Sequence, residues 1–222
     1  ESPRYAGIES PNIPAIEKQF VTIGFFIAIL LVIIRFIFFA KIESVEQLKE
    51  STTLPLIGGL PKIKFQETEG IVTNVIPNSK ISEAFRNLRT NLKYINVESE
   101  LKTILVTSYS PGEGKTFTSV NLANILAKTG KKTIILELDL HKPRVFQRFG
   151  VSAPEKGITT FINGQHEIID IITPSPIDNL FCMLAGPIPP NPSEYVLSEK
   201  MHELITYVGF FIMSLMMLAM VI

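Results

Sequence analysis

Between residues 109 and 116 the chain reads Tyr109-Ser110-Pro111-Gly112-Glu113-Gly114-Lys115-Thr116, residue types suited to holding a phosphate group. Gly112 and Gly114 let successive backbone N–H groups converge on phosphate oxygens. Lys115 brings a positive charge to the β- and γ-phosphates of a nucleotide, and the Thr116 hydroxyl is a ligand for Mg²⁺. The strict G-x-x-x-x-G-K-[ST] pattern is not met, because Tyr109 holds its first glycine position; the P-G-x-G-K-T core is still specific when it follows a strand. The candidate nucleotide-contacting residues are Ser110, Pro111, Gly112, Glu113, Gly114, Lys115, Thr116 and Phe117. A carboxylate follows further on: Thr133–Leu138 (TIILEL) ends in Asp139, ahead of His141-Lys142-Pro143-Arg144. At the carboxyl end of a parallel strand such a group lies near the phosphate loop and can hold Mg²⁺ directly or through water; an exposed strand-end Asp is the bland alternative.

The loop works only if a strand delivers it and a helix leaves it. Lys102–Ser108 (KTILVTS) is a β-branched, apolar run typical of a buried strand. After the loop, Val120, Leu122, Ala123, Leu126 and Ala127 recur at helical spacing, with Gly130 as a stop. Upstream, Ile81, Phe85, Leu88, Leu92 and Ile95 form a helical apolar stripe, while Glu83, Arg86 and Arg89 share a different face. That charged face is either solvated, with i,i+3 pairing, or a subunit contact, and spacing alone does not decide. The expected fold is an α/β, P-loop NTPase-like domain with a mostly parallel sheet and flanking helices, truncated, and preceded by a transmembrane helix.

The composition narrows the setting. In 222 residues, 21 Lys+Arg balance 21 Asp+Glu, 46% are hydrophobic and 19% charged, and mean hydropathy is +0.29. A zero charge balance excludes a strongly basic nucleic-acid binder, so no nucleic-acid partner is expected. The single cysteine, Cys182, excludes a disulfide framework and a cysteine metal cluster; His141, His166 and His202 have no metal-ligand spacing. The apolar excess is concentrated. Phe20–Ala40 is interrupted only by Thr22, Gly24 and Arg35, long enough for a span of about 20 residues. Arg35, Lys41, Lys49, Lys62 and Lys64 lie at or beyond its end, against Arg4 and Lys18 before it, which places everything after about residue 40 in the cytoplasm. The expected organisation is an extracytoplasmic stub at 1–18, a membrane helix at 19–40, a linker at 41–78, a P-loop domain at 79–206 and an apolar tail at 207–222.

That tail, YVGFFIMSLMMLAMVI, carries no charge. Methionine has one codon, so a reading frame displaced across Met216-Met217 passes through GAT, an aspartate. The tail is thus a frameshift product, a second membrane segment or hairpin, or 16 apolar residues buried in a truncated sheet.

Several stretches together resemble the bacterial tyrosine kinases of capsular and exopolysaccharide synthesis. Ser82-Glu83-Ala84-Phe85-Arg86-Asn87-Leu88-Arg89 looks like that family's E-x-x-R-x-x-R interface helix. Pro111–Thr116 is similar to its Walker A, Leu136-Glu137-Leu138-Asp139-Leu140-His141-Lys142-Pro143 to its second acidic motif, and Gly186 with Pro189-Pro190-Asn191-Pro192-Ser193-Glu194 to its G-x-x-P-P-N-P-S-E segment. The resemblance implies a membrane-anchored autokinase of the bacterial inner membrane, its domain facing the cytoplasm, that passes the ATP γ-phosphoryl group to tyrosines in a neighbouring subunit's tail. It implies Lys115 and Asp139 as catalytic residues, ATP and Mg²⁺ as cofactors, Thr116, Glu137 and Asp139 as metal ligands, a homo-oligomeric ring through Glu83, Arg86 and Arg89, and partners in the polysaccharide polymerase and export machinery. Three departures stand beside it. Glu137 and His141 replace the family's usual Asp and Arg, no Walker B strand ending in Asp follows the helix around Tyr195–Thr206, and no tyrosine cluster closes the chain, which reads as a piece cut at both ends. A non-catalytic nucleotide-binding adaptor and a deviant-Walker ATPase are the alternatives.

Overall fold

The computed structural model describes residues 13–38, 44–62, 70–95, 103–211 and 215–220, and the chain divides into two units, Glu1–Pro55 and Leu56–Ile222. In the first unit, helix α1 spans Ile13–Phe38 and helix α2 spans Val45–Ser51. The 23 residues from Ile16 to Phe38 are long and apolar enough to cross a membrane, and none of that stretch is buried by protein. They rise about 34 Å at about 1.5 Å each, against a hydrocarbon core of about 30 Å. Thr22 satisfies its hydroxyl within the helix, donating to the carbonyls of Gln19 and Lys18 at 2.9 and 3.0 Å. Helix α2 starts where the Ser44 hydroxyl accepts the Gln47 N–H at 3.1 Å, an N-cap.

The second unit runs α3 (Val72–Val75), α4 (Lys80–Ile95), β1 (Thr103–Val106), α5 (Lys115–Ala127), β2 (Lys132–Glu137), α6 (Val145–Arg148), α7 (Ile158–Ile162), a 3-10 turn (Ile168–Ile171), β3 (Ile172–Pro174), β4 (Leu180–Met183), α8 (Pro192–Val196), α9 (Glu199–Phe211) and β5 (Leu215–Met220). Its sheet has the order β1-β5-β2-β4-β3, parallel except for β3, which closes one edge antiparallel to β4. This is the expected α/β class, and β2 shows why. Thr133 to Glu137 are buried without interruption, as in a strand covered on both faces. Alternation then assigns its side chains to two cores. Ile135 joins Phe85, Val120, Leu126 and Cys182 on the side of α4 and α5, while Ile134 and Leu136 join Ile158, Phe161, Met201 and Leu204 on the side of α7 and α9. Burial pushes the Cys182 thiol up to about 12, so it is a packing residue and not a nucleophile.

Two expectations change. The linker expected at 41–78 is not loose throughout, because Ile71, Val72 and Thr73 are buried in the domain. The apolar tail is no second membrane span: Tyr207 to Phe211 finish α9, with Val208 in the core, and Leu215–Met220 form β5. The central strand expected to be missing is therefore present, inserted between β1 and β2. A strand flanked by parallel neighbours reads as a continuous apolar run, which is why it resembles a membrane segment in sequence. It brings no carboxylate, since it reads LMMLAM.

Next to β4 the chain approaches itself closely. Ile158 and Thr159 donate their N–H groups to the carbonyls of Leu184 and Ala185, both at 2.9 Å. A Cβ on Gly157 would sit 2.4 Å from both the Gly186 nitrogen and the Leu184 oxygen, backbone atoms that cannot swing away. We expect Gly157→Ala to destabilise the domain by about 3 kcal/mol. Gly59→Ala, where a Cβ meets nothing within 4 Å, should leave thermal denaturation almost unchanged, and equal melting of the two variants would refute the clash.

Candidate nucleotide site

The phosphate loop leaves β1 and enters α5 through two glycines in the left-handed region, Gly112 (φ 87) and Gly114 (φ 97). Gly114 is the N-cap of α5, and its carbonyl accepts the Thr118 N–H at 2.8 Å. The N–H groups of Lys115, Thr116 and Phe117 are thereby left without helical acceptors, and α5 presents its positive end at the loop. Lys115 folds back across this loop. Its Nζ donates to the Ser108 hydroxyl at 3.0 Å, and that hydroxyl donates to the Ser110 carbonyl at 2.9 Å. An ammonium has three donors, so two remain for an anion. Thr116 is half-buried in the first turn, Pro111, Gly112 and Glu113 are exposed at the tip, and Tyr109 is 99% exposed. The ring of Phe117 packs against Phe85, centroids 5.8 Å apart, so its backbone N–H is the part of it available to a nucleotide.

The sheet sets the two acidic candidates at the same end as the loop. Val106, Met220 and Glu137 are level across β1, β5 and β2. Ser108 and Asp139 both lie two residues beyond that level, at the carboxyl ends of parallel strands, where nucleotide sites form in open α/β sheets. Asp139 is half-buried; its Oδ1 accepts the Lys142 N–H at 3.0 Å, while Oδ2 makes no hydrogen bond among the described residues.

Glu137 does something else. It is 1% exposed. Its Oε1 accepts the N–H groups of Arg144 and Val145 at 2.6 and 2.7 Å, and its Oε2 accepts that of Ala185 at 3.2 Å. Burial pushes its pKa above the ordinary glutamate value, outweighing the three amides that favour the ionised form. The expected metal ligand is therefore a clamp joining β2 to the α6 entry and the end of β4. Among the described residues no group of three His, Cys, Asp or Glu side chains is placed to hold a metal ion.

The third expected set lies on α4. Glu83 and Arg86 pair at 2.7 Å, and Arg86 also donates to the Pro77 carbonyl. Arg89 keeps a buried Nε without a hydrogen-bond partner. In the last motif, Asn191 donates to Glu194 at 3.3 Å and the Tyr195 hydroxyl donates to Asn163 at 2.8 Å. Ser108 escaped the sequence reading. A hydroxyl immediately before the loop pattern was the available signal.

Comparison with known proteins places this geometry. Residues 104–171 match the family model of the CobQ/CobB/MinD/ParA nucleotide binding domain. The chain is 35% identical over 134 residues to the tyrosine-protein kinase YwqD of Bacillus subtilis, covering 60% of this chain and 56% of that one. It is 36% identical over 143 residues to the putative tyrosine-protein kinase CapB of Staphylococcus aureus, covering 62% of each. With the tyrosine-protein kinase wzc of Salmonella typhimurium it shares 27% identity over 216 residues, 90% of this chain but 30% of the relative. The chain thus spans less than two thirds of the length of these relatives. Among solved structures, the chimerical protein CapA2B2 superposes with a TM-score of 0.69 at 29% identity, covering 80% of this chain and 75% of that one. The kinase domain of Escherichia coli ETK gives 0.71 at 25% identity, covering 81% and 74%. The second unit is a P-loop α/β domain of the nucleotide-binding type.

Proposed function

The chain belongs to the bacterial tyrosine kinases, and from that premise we propose that it is a membrane-anchored, ATP-dependent protein-tyrosine kinase acting in capsular or exopolysaccharide polymerisation and export. The observation that carries the reading is the phosphate loop, with Lys115 and the free N–H groups of α5 converging at the sheet end where Asp139 stands. Phosphoryl transfer needs positioning and charge neutralisation more than covalent chemistry from the protein. Lys115 and the loop amides bind and orient the β- and γ-phosphates of ATP. Thr116 Oγ1 and Asp139 Oδ2 are oxygen donors of the kind Mg²⁺ takes alongside phosphates and water, and Glu137, consumed by backbone amides, is not. Mg²⁺ supplies neutralisation of charge on the transferring group. Asp139 is the carboxylate placed to orient the acceptor tyrosine and take its proton.

The apolar helix α1 supports anchoring in the bacterial inner membrane, and the basic residues that follow it support a cytoplasmic domain. The α4 face of Glu83, Arg86 and Arg89 is the proposed contact in a homo-oligomer, supported by the unpartnered Arg89 Nε. Its acceptor is a tyrosine-bearing tail of a neighbouring subunit. One observation favours a second reading, a nucleotide-binding adaptor without transfer: β5 carries no acidic residue. Incubation with Mg-ATP, followed by phosphotyrosine detection and a parallel nucleotide-binding measurement, separates the two. With a tyrosine-rich peptide added as acceptor, phosphotyrosine on the peptide with the unaltered chain but not with Lys115→Met supports the kinase; nucleotide binding with no phosphotyrosine on the peptide sinks it in favour of the adaptor.

A further inference from the structure

The face of α5 packed against α3 carries an arrangement that packing does not require. Thr73 of α3 is 1% exposed, and Asn121 and Asn124 of α5 are fully buried. The Thr73 N–H and hydroxyl both donate to Asn121 Oδ1, at 3.0 and 3.1 Å. Asn124 Nδ2 donates to Thr73 Oγ1 at 2.7 Å, and Lys128 Nζ donates to the Thr73 carbonyl at 3.1 Å. The other end of the Asn121 amide, Nδ2, donates to the Phe117 carbonyl at 2.9 Å. Phe117 follows Thr116 directly, so one side chain joins α3 to the first turn of the phosphate-loop helix.

We propose that Thr73 and Asn121 are positioning residues for the nucleotide site, holding the first turn of α5 in register with α3, and that nucleotide binding and the docking of α3 are therefore thermodynamically linked. Asparagine is a poor residue for a helix interior, and here the network is incomplete, since Asn124 Oδ1 is buried without a partner. Apolar side chains would pack this interface without that defect. An incomplete buried network suits an interface that must change its strength when the helix start shifts to meet phosphates. Linkage is reciprocal: what ties α3 to the helix tightens nucleotide binding, and nucleotide tightens α3.

The inference rests on the loop being a nucleotide site, and the full chain tests both separately. Mg-ATP affinity is measured by equilibrium binding for the unaltered chain, Thr73→Val and Thr73→Ser, and amide hydrogen exchange of residues 71–76 is followed with and without Mg-ATP. The expected results are an affinity loss of about fivefold or more in Thr73→Val, recovery in Thr73→Ser, and exchange slowed at 71–76 by nucleotide in the unaltered chain. Unchanged affinity in a folded Thr73→Val overturns the proposal. Should that variant fail to fold, exchange at 71–76 that is indifferent to nucleotide overturns it instead. An unaltered chain that binds no Mg-ATP removes the nucleotide reading itself, and this inference with it.

Discussion

In the Lys115→Met protein, Mg-ATP affinity is expected to fall by roughly 100-fold, with the domain still folded. Within the loop the half-buried ammonium touches one hydroxyl, Ser108 Oγ at 3.0 Å, so the fold loses a single partly exposed hydrogen bond when it goes. A change in stability of about 0.5 kcal/mol is the corresponding expectation. The ligand loses far more, because the loop then offers the triphosphate backbone amides and a helix end but no cationic side chain. Methionine keeps the length and flexibility of the side chain, so the loss is of charge rather than of packing. Equilibrium binding and thermal denaturation on the same preparations decide the matter. Equal affinity in the two proteins would remove Lys115 from the site; a large fall in melting temperature would mean that it props up the loop.

Glu137→Ala should destabilise the second unit by roughly 3–5 kcal/mol, the consequence of leaving three buried N–H donors without acceptors. The amides of Arg144, Val145 and Ala185 all converge on this carboxylate, and they belong to two separate chain segments. Removing it frees both segments at once. A metal ligand would behave in the opposite way, with stability preserved and the Mg²⁺ requirement for nucleotide binding shifted. Denaturant unfolding together with an Mg²⁺ titration discriminates: normal unfolding with a raised Mg²⁺ requirement would restore Glu137 to the metal site. Glu137→Gln keeps one acceptor oxygen and places an NH₂ donor against the remaining amide partner, so an intermediate loss is expected.

What sequence could reveal followed the range of the interactions. The phosphate loop was legible because its chemistry is local: glycines at 112 and 114, a lysine and a hydroxyl in a fixed order, a strand before and a helix after. The parallel sheet was legible from TIILE, whose buried run has the length and β-branching of a covered strand. Glu137 was not, because a carboxylate near a strand end looks the same whether it faces a cation or three amides, and one of those amides comes from residue 185. The network of Thr73 with Asn121 and Asn124 was hidden for the same reason, the partners being some fifty residues apart. The strand Leu215–Met220 gave a misleading signal rather than none. Six apolar residues without alternation fit a bilayer as well as a sheet interior, and only its two neighbours distinguish them.

That strand has a bearing on the order in which the protein is made. Strand β1 ends at Val106 and pairs, among the described residues, only with β5, which starts at Leu215. While the ribosome is still adding the residues between them, β2 and β4 can already align side by side, but β1 has no partner at its flank. Such a distant pairing is slow to form and is reached late. The phosphate loop is therefore carried on a strand without a sheet partner until Leu215–Met220 has been made, and capture of nucleotide becomes possible only after that point. A nascent chain stalled short of Leu215 would display every residue of the loop and still hold no site.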